Sequence, residues 1–234
     1  MTVRRTIAFL AVTLATSLLA GCSTSRWSQL SNTFSSDEPL SISDPSFAKS
    51  KAGQVRQIRQ IAENADSQSP AEQTQSAKSL VTRIQAEEDK VLRLEIIRAL
   101  GKHRTPVAIE GLRIAVADSR DAVRAAACDA LGEIGSPAAL QLLADVLGSD
   151  PNLDVRVAAT KAIARFDGPQ AISALQPAIN DADPALQYTA VQAMKKLHSE
   201  DLGNSVADWQ NLARTISPAR ERIAAEDSDS GTYR

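Results

Sequence analysis

The sequence predicts an all-α protein, a right-handed α-solenoid of about five stacked helical hairpins that include a cap repeat. A proline that can start a helix recurs as Pro106, Pro137 and Pro169, at steps of 31 and 32 residues. An apolar triplet with helical spacing follows each proline at the same steps. Several independent positions that share one period indicate repeated units, each of which must bury its apolar face against the next.

The clearest repeat runs from Asp121 to Asp150 and predicts two amphipathic helices. We expect Gly132 and Gly135 to end its first helix. Ser136 and Pro137 then begin the second helix, because a hydroxyl can cap it and proline needs no N–H at the first helical position. The second helices of the three full repeats carry the triplets Ile109, Leu112 and Val116; Leu140, Leu143 and Leu147; and Ile172, Leu175 and Ile179.

A cap repeat is predicted before these three. Its helices are Gln54–Asn64 and Pro70–Asp89, and its apolar residues lie 32 residues before the first triplet. The repeats that follow are Lys90–Ala117, Asp121–Gly148, Leu153–Asn180 and a divergent one at Pro184–Thr215.

One set of residues carries a family resemblance: Val123-Arg124, Ala127, Ala130-Leu131-Gly132, Ile134-Gly135, Pro137-Ala138 and Leu143. The pattern resembles the HEAT-like repeats of bacterial α-solenoids, in particular the short type first noted in phycobilin lyases. It covers roughly Gly53 to Thr215. The resemblance implies the fold and leaves the partner open, because such repeats serve many functions.

Residues 1–21 have the pattern of a secretory signal peptide. The basic pair Arg4-Arg5 precedes an apolar run that ends at Ala20 and is shorter than the roughly 20 residues of a membrane-spanning helix. The segment that follows, 22–52, is predicted to be a disordered, serine-rich tether. The solenoid then spans 53–216, and 217–234 is predicted to be a polar, disordered tail.

The apolar run ends in Leu19-Ala20-Gly21-Cys22, which is similar to the lipobox of bacterial lipoproteins. This resemblance implies that diacylglycerol is attached to the Cys22 thiol, which would anchor the protein to a membrane of the cell envelope, facing the periplasm. Ser23 follows the cysteine where an aspartate tends to retain lipoproteins at the inner membrane. The outer membrane is therefore favoured.

Charge and composition exclude some classes of partner. The formal net charge is −2, with 26 basic and 28 acidic residues, and aromatic residues make up 3% of the chain. Nucleic-acid binding needs a basic face, so no nucleic-acid partner is predicted.

No pattern indicates a metal site, a cofactor or a catalytic centre. His103 and His198 do not have the spacing of a zinc pair on one helix, and the paired His-Glu motifs of iron-binding HEAT-like hydroxylases do not occur. We expect His103 to be solvated in a turn, Cys128 to be a buried thiol, and Trp209 to close the end of the core. The chain is not predicted to be an enzyme.

Arginines align across the first helices as Arg93, Arg124 and Arg156, with Gln187 next. Acidic residues near the turns between repeats can pair with them. The interpretation favoured is a structural ladder that braces one repeat on the next, and the alternative is a positive strip that binds anions.

Three hypotheses for function remain. The first is a lipid-anchored scaffold that binds an unidentified protein through a concave face formed by its second helices. The second is a tetrapyrrole-handling relative of phycobilin lyases, and the third is a structural envelope component without a discrete ligand. Outward-facing candidates for partner binding on the second helices are Glu110, Arg113, Gln141, Asp145, Ser173, Gln176 and Asn180.

Replacing Cys22 with Ala or Ser is expected to prevent lipidation and lipoprotein-type cleavage, because both need the thiol. Several buried acyl chains, at about 0.8 kcal/mol per CH₂ group, hold a protein on a membrane far better than one chain does. Mass spectrometry and membrane fractionation of the wild type and the variant test this. An identical processed mass and membrane fraction would show that the anchor prediction is wrong.

Overall fold

The computed structural model describes residues 45–198 and 202–216, in which helices and turns occur without any β-strand. These residues belong to one compact unit that begins at Pro45. The helices are α1 (Pro45–Lys49), α2 (Lys51–Glu63), α3 (Pro70–Ala86), α4 (Lys90–Lys102), α5 (Pro106–Ala115), α6 (Asp121–Ile134), α7 (Pro137–Ser149), α8 (Leu153–Ile163), α9 (Pro169–Ala174), α10 (Gln176–Ile179), α11 (Pro184–Leu197) and α12 (206–216).

These helices form five hairpins, which confirms the predicted all-α solenoid. The first helices are α2, α4, α6, α8 and α11, and the second helices are α3, α5, α7, the α9–α10 pair and α12. The signal peptide, Cys22, the tether as far as residue 44 and the tail from Ser217 lie outside the described residues. No described helix has both the length and the apolar character that crossing a bilayer requires.

Helix starts follow the chemistry read from the sequence. Pro106, Pro137 and Pro169 each open a second helix. The Ser136 hydroxyl accepts a hydrogen bond from the Ala139 N–H at 3.2 Å. At the N-terminal end, the helices begin before Gly53, inside the range assigned to the tether. The reason is Ser50, whose hydroxyl caps α2 by accepting from the Gly53 N–H at 3.1 Å.

Gly132 does not end a helix, contrary to the sequence interpretation. Helix α6 continues through Gly132 and ends at Gly135, whose φ of 67° suits a residue without a side chain. Gly132 is instead a point of close approach, where a Cβ atom would lie 3.0 Å from Ala162 Cβ on α8. Gly101 meets Ala130 in the same way between α4 and α6. Small residues therefore let successive first helices pack closely.

The apolar triplets lie in the core as predicted, with Leu112, Leu143 and Leu175 fully buried. Trp209 is also fully buried and donates from its indole N–H to the Gly203 carbonyl at 2.9 Å. This supports its predicted place at the end of the core. His103 corrects a prediction, since it is buried rather than solvated. Its Nδ1 lies 2.8 Å from the Ala99 carbonyl of the preceding turn, which holds the ring inward.

An arginine ladder connects the repeats. The Arg93 Nε atom lies 2.7 Å from Asp118 Oδ2, and the Arg124 Nε atom lies 2.7 Å from Asp150 Oδ2. Arg156 continues the pattern to Asp181, with 3.5 Å between Nη2 and Oδ2. Each guanidinium thus reaches the acid in the loop that leads to the next repeat.

The same arginines also bond the main chain of the loop before their own helix. The Arg124 guanidinium donates to the Asp118 carbonyl at 2.9 Å, and that of Arg156 donates to the Asp150 carbonyl at 3.1 Å. At the equivalent position in the last repeat, the Gln187 side-chain amide donates to the Asp181 carbonyl at 2.7 Å. Because these contacts join neighbouring repeats and use the guanidinium donors internally, they support the structural ladder over an anion-binding strip.

Asp118 is the most strongly held acid of the ladder. Its carboxylate accepts from Arg120 Nε and Nη2 at 2.9 and 3.0 Å, and from the Arg120 main-chain N–H at 2.9 Å. These hydrogen bonds from Arg120, and the nearby charge of Arg93, lower the pKa of Asp118 from 3.8 to about 2. The charged form is therefore stabilised in the folded protein.

Leu143→Asp is expected to destabilise the fold by several kcal/mol, because it places an unpaired charge at a fully buried position shared by stacked repeats. Urea unfolding followed by circular dichroism measures the loss. Gln141→Ala, at an exposed position on the same helix, is the matched control and should be nearly neutral. Equal stability of Leu143→Asp and the wild type would contradict the packing described here.

Asp118→Asn is expected to lower the free energy of unfolding by about 3 kcal/mol at pH 7, because it leaves a buried guanidinium without its carboxylate. Folding lowers the pKa of Asp118, so the unfolded state gains protons first as the pH falls, and the stability that Asp118 contributes is lost between about pH 4 and pH 2. The difference in free energy of unfolding between the wild type and Asp118→Asn should therefore shrink between about pH 4 and pH 2.

Urea unfolding at pH 7 and at pH 3 measures both effects. Asp145→Asn is the control, since the Asp145 side chain is exposed and its change should alter stability by less than about 0.5 kcal/mol. A difference between Asp118→Asn and wild type that stays constant with pH would refute the role given to this carboxylate.

Candidate functional site

A groove of about 800 Å³ opens between helix α7 and the α9–α10 pair, and we call it the α7–α9 groove. Leu140 and Ala144 of α7 and Ala174 of α9 supply apolar surface. Arg165 and Asp167, in the segment before α9, add one charge of each sign. The other lining residues are Gly135, Pro137, Gln141, Phe166, Gln170, Ser173, Gln176 and Pro177. The groove is therefore mixed in polarity.

The groove contains a helix break that the sequence interpretation missed. The second helix of the third repeat is divided at Leu175, whereas α5 and α7 are continuous. Pro177 has no N–H to donate to the Ser173 carbonyl and its ring crowds the preceding turn, so the helix cannot continue regularly. The break places Gln176 and Pro177 on the groove wall.

Polar side chains in the groove are available to a ligand. The amides of Gln170 and Gln176 make no hydrogen bond to any described residue, and the same holds for the Ser173 hydroxyl. Gln141 donates from Nε2 to Asp145 Oδ1 at 3.0 Å, which leaves its amide oxygen as an acceptor. Because amides both donate and accept, these side chains can pair with the main-chain groups of an extended peptide.

The structure brings three of the seven predicted binding residues together: Gln141, Ser173 and Gln176 line the groove. The other four do not line it. Glu110 and Arg113 form an exposed pair on α5, with 3.4 Å between Oε2 and Nε. Asp145 accepts the bond from Gln141, and Asn180 lies exposed at the end of α10. Gln170 and Pro177 were missed, although a proline inside a predicted helix is a recognisable signal.

The two rows of helices pack differently. Successive first helices are in close contact through Gly101–Ala130 and Gly132–Ala162, whereas an open groove lies between α7 and α9–α10. That the second helices form a concave face stays a prediction.

Cys128 is buried, and burial raises the pKa of its thiol to about 12. It is therefore protonated at neutral pH and inaccessible, which removes the basis for nucleophilic chemistry. Within residues 45–198 and 202–216, no three histidine, cysteine, aspartate or glutamate residues are grouped so that they could hold a metal ion. The α7–α9 groove is taken as the candidate site because three of the predicted binding residues line it.

Comparison with known proteins agrees with this architecture. A curated protein, the uncharacterized phycocyanin operon protein Z of Pseudanabaena tenuis (strain PCC 7409), is 35% identical over 91 residues. The match covers 38% of this chain and 45% of that protein, so the chain spans less than half the length of this relative. The family profile described as HEAT repeats matches residues 77–156 and 146–228, which together are more than half of the chain. The chain therefore belongs to the HEAT-repeat family.

Proposed function

We propose that this protein is a membrane-anchored scaffold of the cell envelope, and that it binds an extended segment of a partner protein in the α7–α9 groove. The main support for the proposal is the lining of the groove. There, the side chains of Gln170, Ser173 and Gln176 have no hydrogen-bond partner among the described residues and lie beside apolar surface. No step of catalysis is part of the proposal.

The chemistry of the groove favours a peptide over a small charged ligand. An extended peptide exposes main-chain donors and acceptors, which the glutamine amides can satisfy. Its side chains can contact Leu140 and Ala174. With one basic and one acidic residue, Arg165 and Asp167, the groove has little net charge to attract an ion. The expected affinity is moderate, because the contacts are few and exposed.

The membrane part of the proposal rests on Leu19-Ala20-Gly21-Cys22 and the signal peptide before it. In this proposal, acyl chains on Cys22 hold the protein at the membrane, with the outer membrane favoured. In the proposal, the segment 22–52 that the sequence analysis predicts to be a tether connects the anchor to the HEAT repeats.

A tetrapyrrole-handling function is a second candidate, because a relative is named for a phycocyanin operon. The state of Cys128 weighs against attachment of a tetrapyrrole to that thiol. An absorption spectrum of the purified protein decides: a visible band from a bound tetrapyrrole would support this candidate, and its absence after incubation with a bilin would exclude it.

Replacing Gln141, Ser173 and Gln176 with Ala is expected to weaken partner binding by about tenfold to a hundredfold. Each hydrogen bond lost is worth about 0.5–1.5 kcal/mol, and 1.4 kcal/mol corresponds to a factor of ten. The partner is first identified by affinity capture from solubilised envelopes and mass spectrometry, and its affinity for each variant is then measured.

The matched control replaces Glu110 and Arg113 with Ala, since this pair lies on α5, another second helix, and does not line the groove. It should bind like the wild type, and all proteins should keep the same helical content. Binding that survives the triple replacement but disappears when residues 217–234 are removed would place recognition in the tail. Capture of no partner by the wild type would favour the structural-component hypothesis.

A further inference from the structure

A second surface lies on the first helices, whereas the α7–α9 groove lies between second helices. Two large apolar side chains stand out as exposed among the described residues, Val91 at 47% and Tyr188 at 66%. Both lie on first helices, α4 and α11. Leu94, Ala125 and Val157, which are half-buried, occupy the positions equivalent to Tyr188 in the earlier repeats. Together these five residues form what we call the apolar band.

Charged residues border the apolar band one or two helical turns further along the first helices. On α4 and α6, cations and anions already neutralise one another: Arg98 lies 2.8 Å from Glu95, and Lys102 lies 2.9 Å from Glu133. Asp129 is engaged by Arg165 at 3.2 Å. These ion pairs connect side chains of the protein to each other and leave the band between them uncovered.

The border near Tyr188 is different, because two of its lysines form no ion pair with a described residue. Lys161 and Lys196 form no ion pair with any described residue. Lys161 and Tyr188 line one small cleft of about 270 Å³ between α8 and α11, together with Thr189 and Gln192. An acidic group of a partner that covers Tyr188 would therefore meet an uncompensated ammonium group.

We propose that the apolar band binds an amphipathic α-helix of a partner protein, with acidic residues on the flank that faces Lys161 and Lys196. The first helices have already used their main-chain N–H and C=O groups internally, so an extended peptide backbone gains few hydrogen bonds along the band beyond the Gln192 amide at its edge. A helix satisfies its own backbone groups and needs only an apolar stripe. This distinguishes the band from the α7–α9 groove, where amide side chains are available.

The dimensions of the band fit such a partner. Packed helices lie about 8–10 Å apart, so the three intervals from α4 to α11 span roughly 24–30 Å. A helix of about 16–20 residues has this length. The proposal does not depend on the membrane anchor or on the groove, and it concerns the opposite row of helices.

The test uses the full chain, purified in detergent, against a displayed library of 18-residue peptides with randomised sequences. Enriched peptides are expected to have apolar residues at helical spacing and Asp or Glu on one flank. Tyr188→Ser should weaken their binding by about tenfold, because the most exposed large side chain of the band and its aromatic contact are lost. Lys161→Glu should also weaken it, and changing the acidic residues of the peptide to Lys should restore binding to that variant.

Lys78→Glu on α3 is the matched control, because Lys78 is also exposed, forms no ion pair within the described residues and lies off the band. It should bind like the wild type, as should the triple Ala variant of Gln141, Ser173 and Gln176. Unchanged peptide binding by the triple Ala variant would show that the peptides bind the apolar band and not the α7–α9 groove. Enriched peptides that are insensitive to Tyr188→Ser, or that lack a helical period, would overturn it.

Two other occupants give distinct results. A dimer in sedimentation experiments that Tyr188→Ser dissociates would show that a second copy of the chain covers the band. Binding of the Cys22→Ser variant to vesicles of anionic phospholipid that depends on Tyr188 would show that the band contacts a membrane. Either result would overturn the helix proposal.

Discussion

Pairing between arginines of the first helices and acids of the inter-repeat loops is the interaction on which the stack depends. Arg93 and Arg124 each bind one loop through a main-chain carbonyl and the next loop through a carboxylate. Apolar packing between hairpins of small residues is not directional, so it does little to fix the angle between one hairpin and the next. The arginine ladder fixes that angle, while burial of leucine, isoleucine and alanine contributes most of the driving force for folding.

The two rows of helices consequently differ in what they can do. Close glycine and alanine contacts make the row of first helices continuous, so its exposed side can present the apolar band across several repeats. The second helices diverge, and the break at Pro177 accompanies an opening between two of them. The two proposed binding surfaces therefore differ in chemistry: the band is mainly apolar, whereas the groove adds amide side chains to its apolar surface.

Sequence reasoning predicted the hairpins, their starts and their buried residues, because these depend on local chemistry and period. It did not predict contacts that depend on a neighbouring repeat. Gly132 was interpreted as a helix end because its close contact with Ala162 belongs to the next repeat and cannot be inferred from the residues around Gly132. The break at Leu175 was missed because Ile172, Leu175 and Ile179 keep helical spacing through it.

The ladder ends where Gln187 takes the place of an arginine. Its amide keeps the main-chain bond to Asp181 but carries no charge, so nothing at this position can attract an acid from a further repeat. Among the described residues, Gln187 therefore completes the joint to the repeat before it without supplying a charge for a following loop. At this hairpin the buried indole of Trp209, rather than an arginine–carboxylate pair, covers the end of the described core.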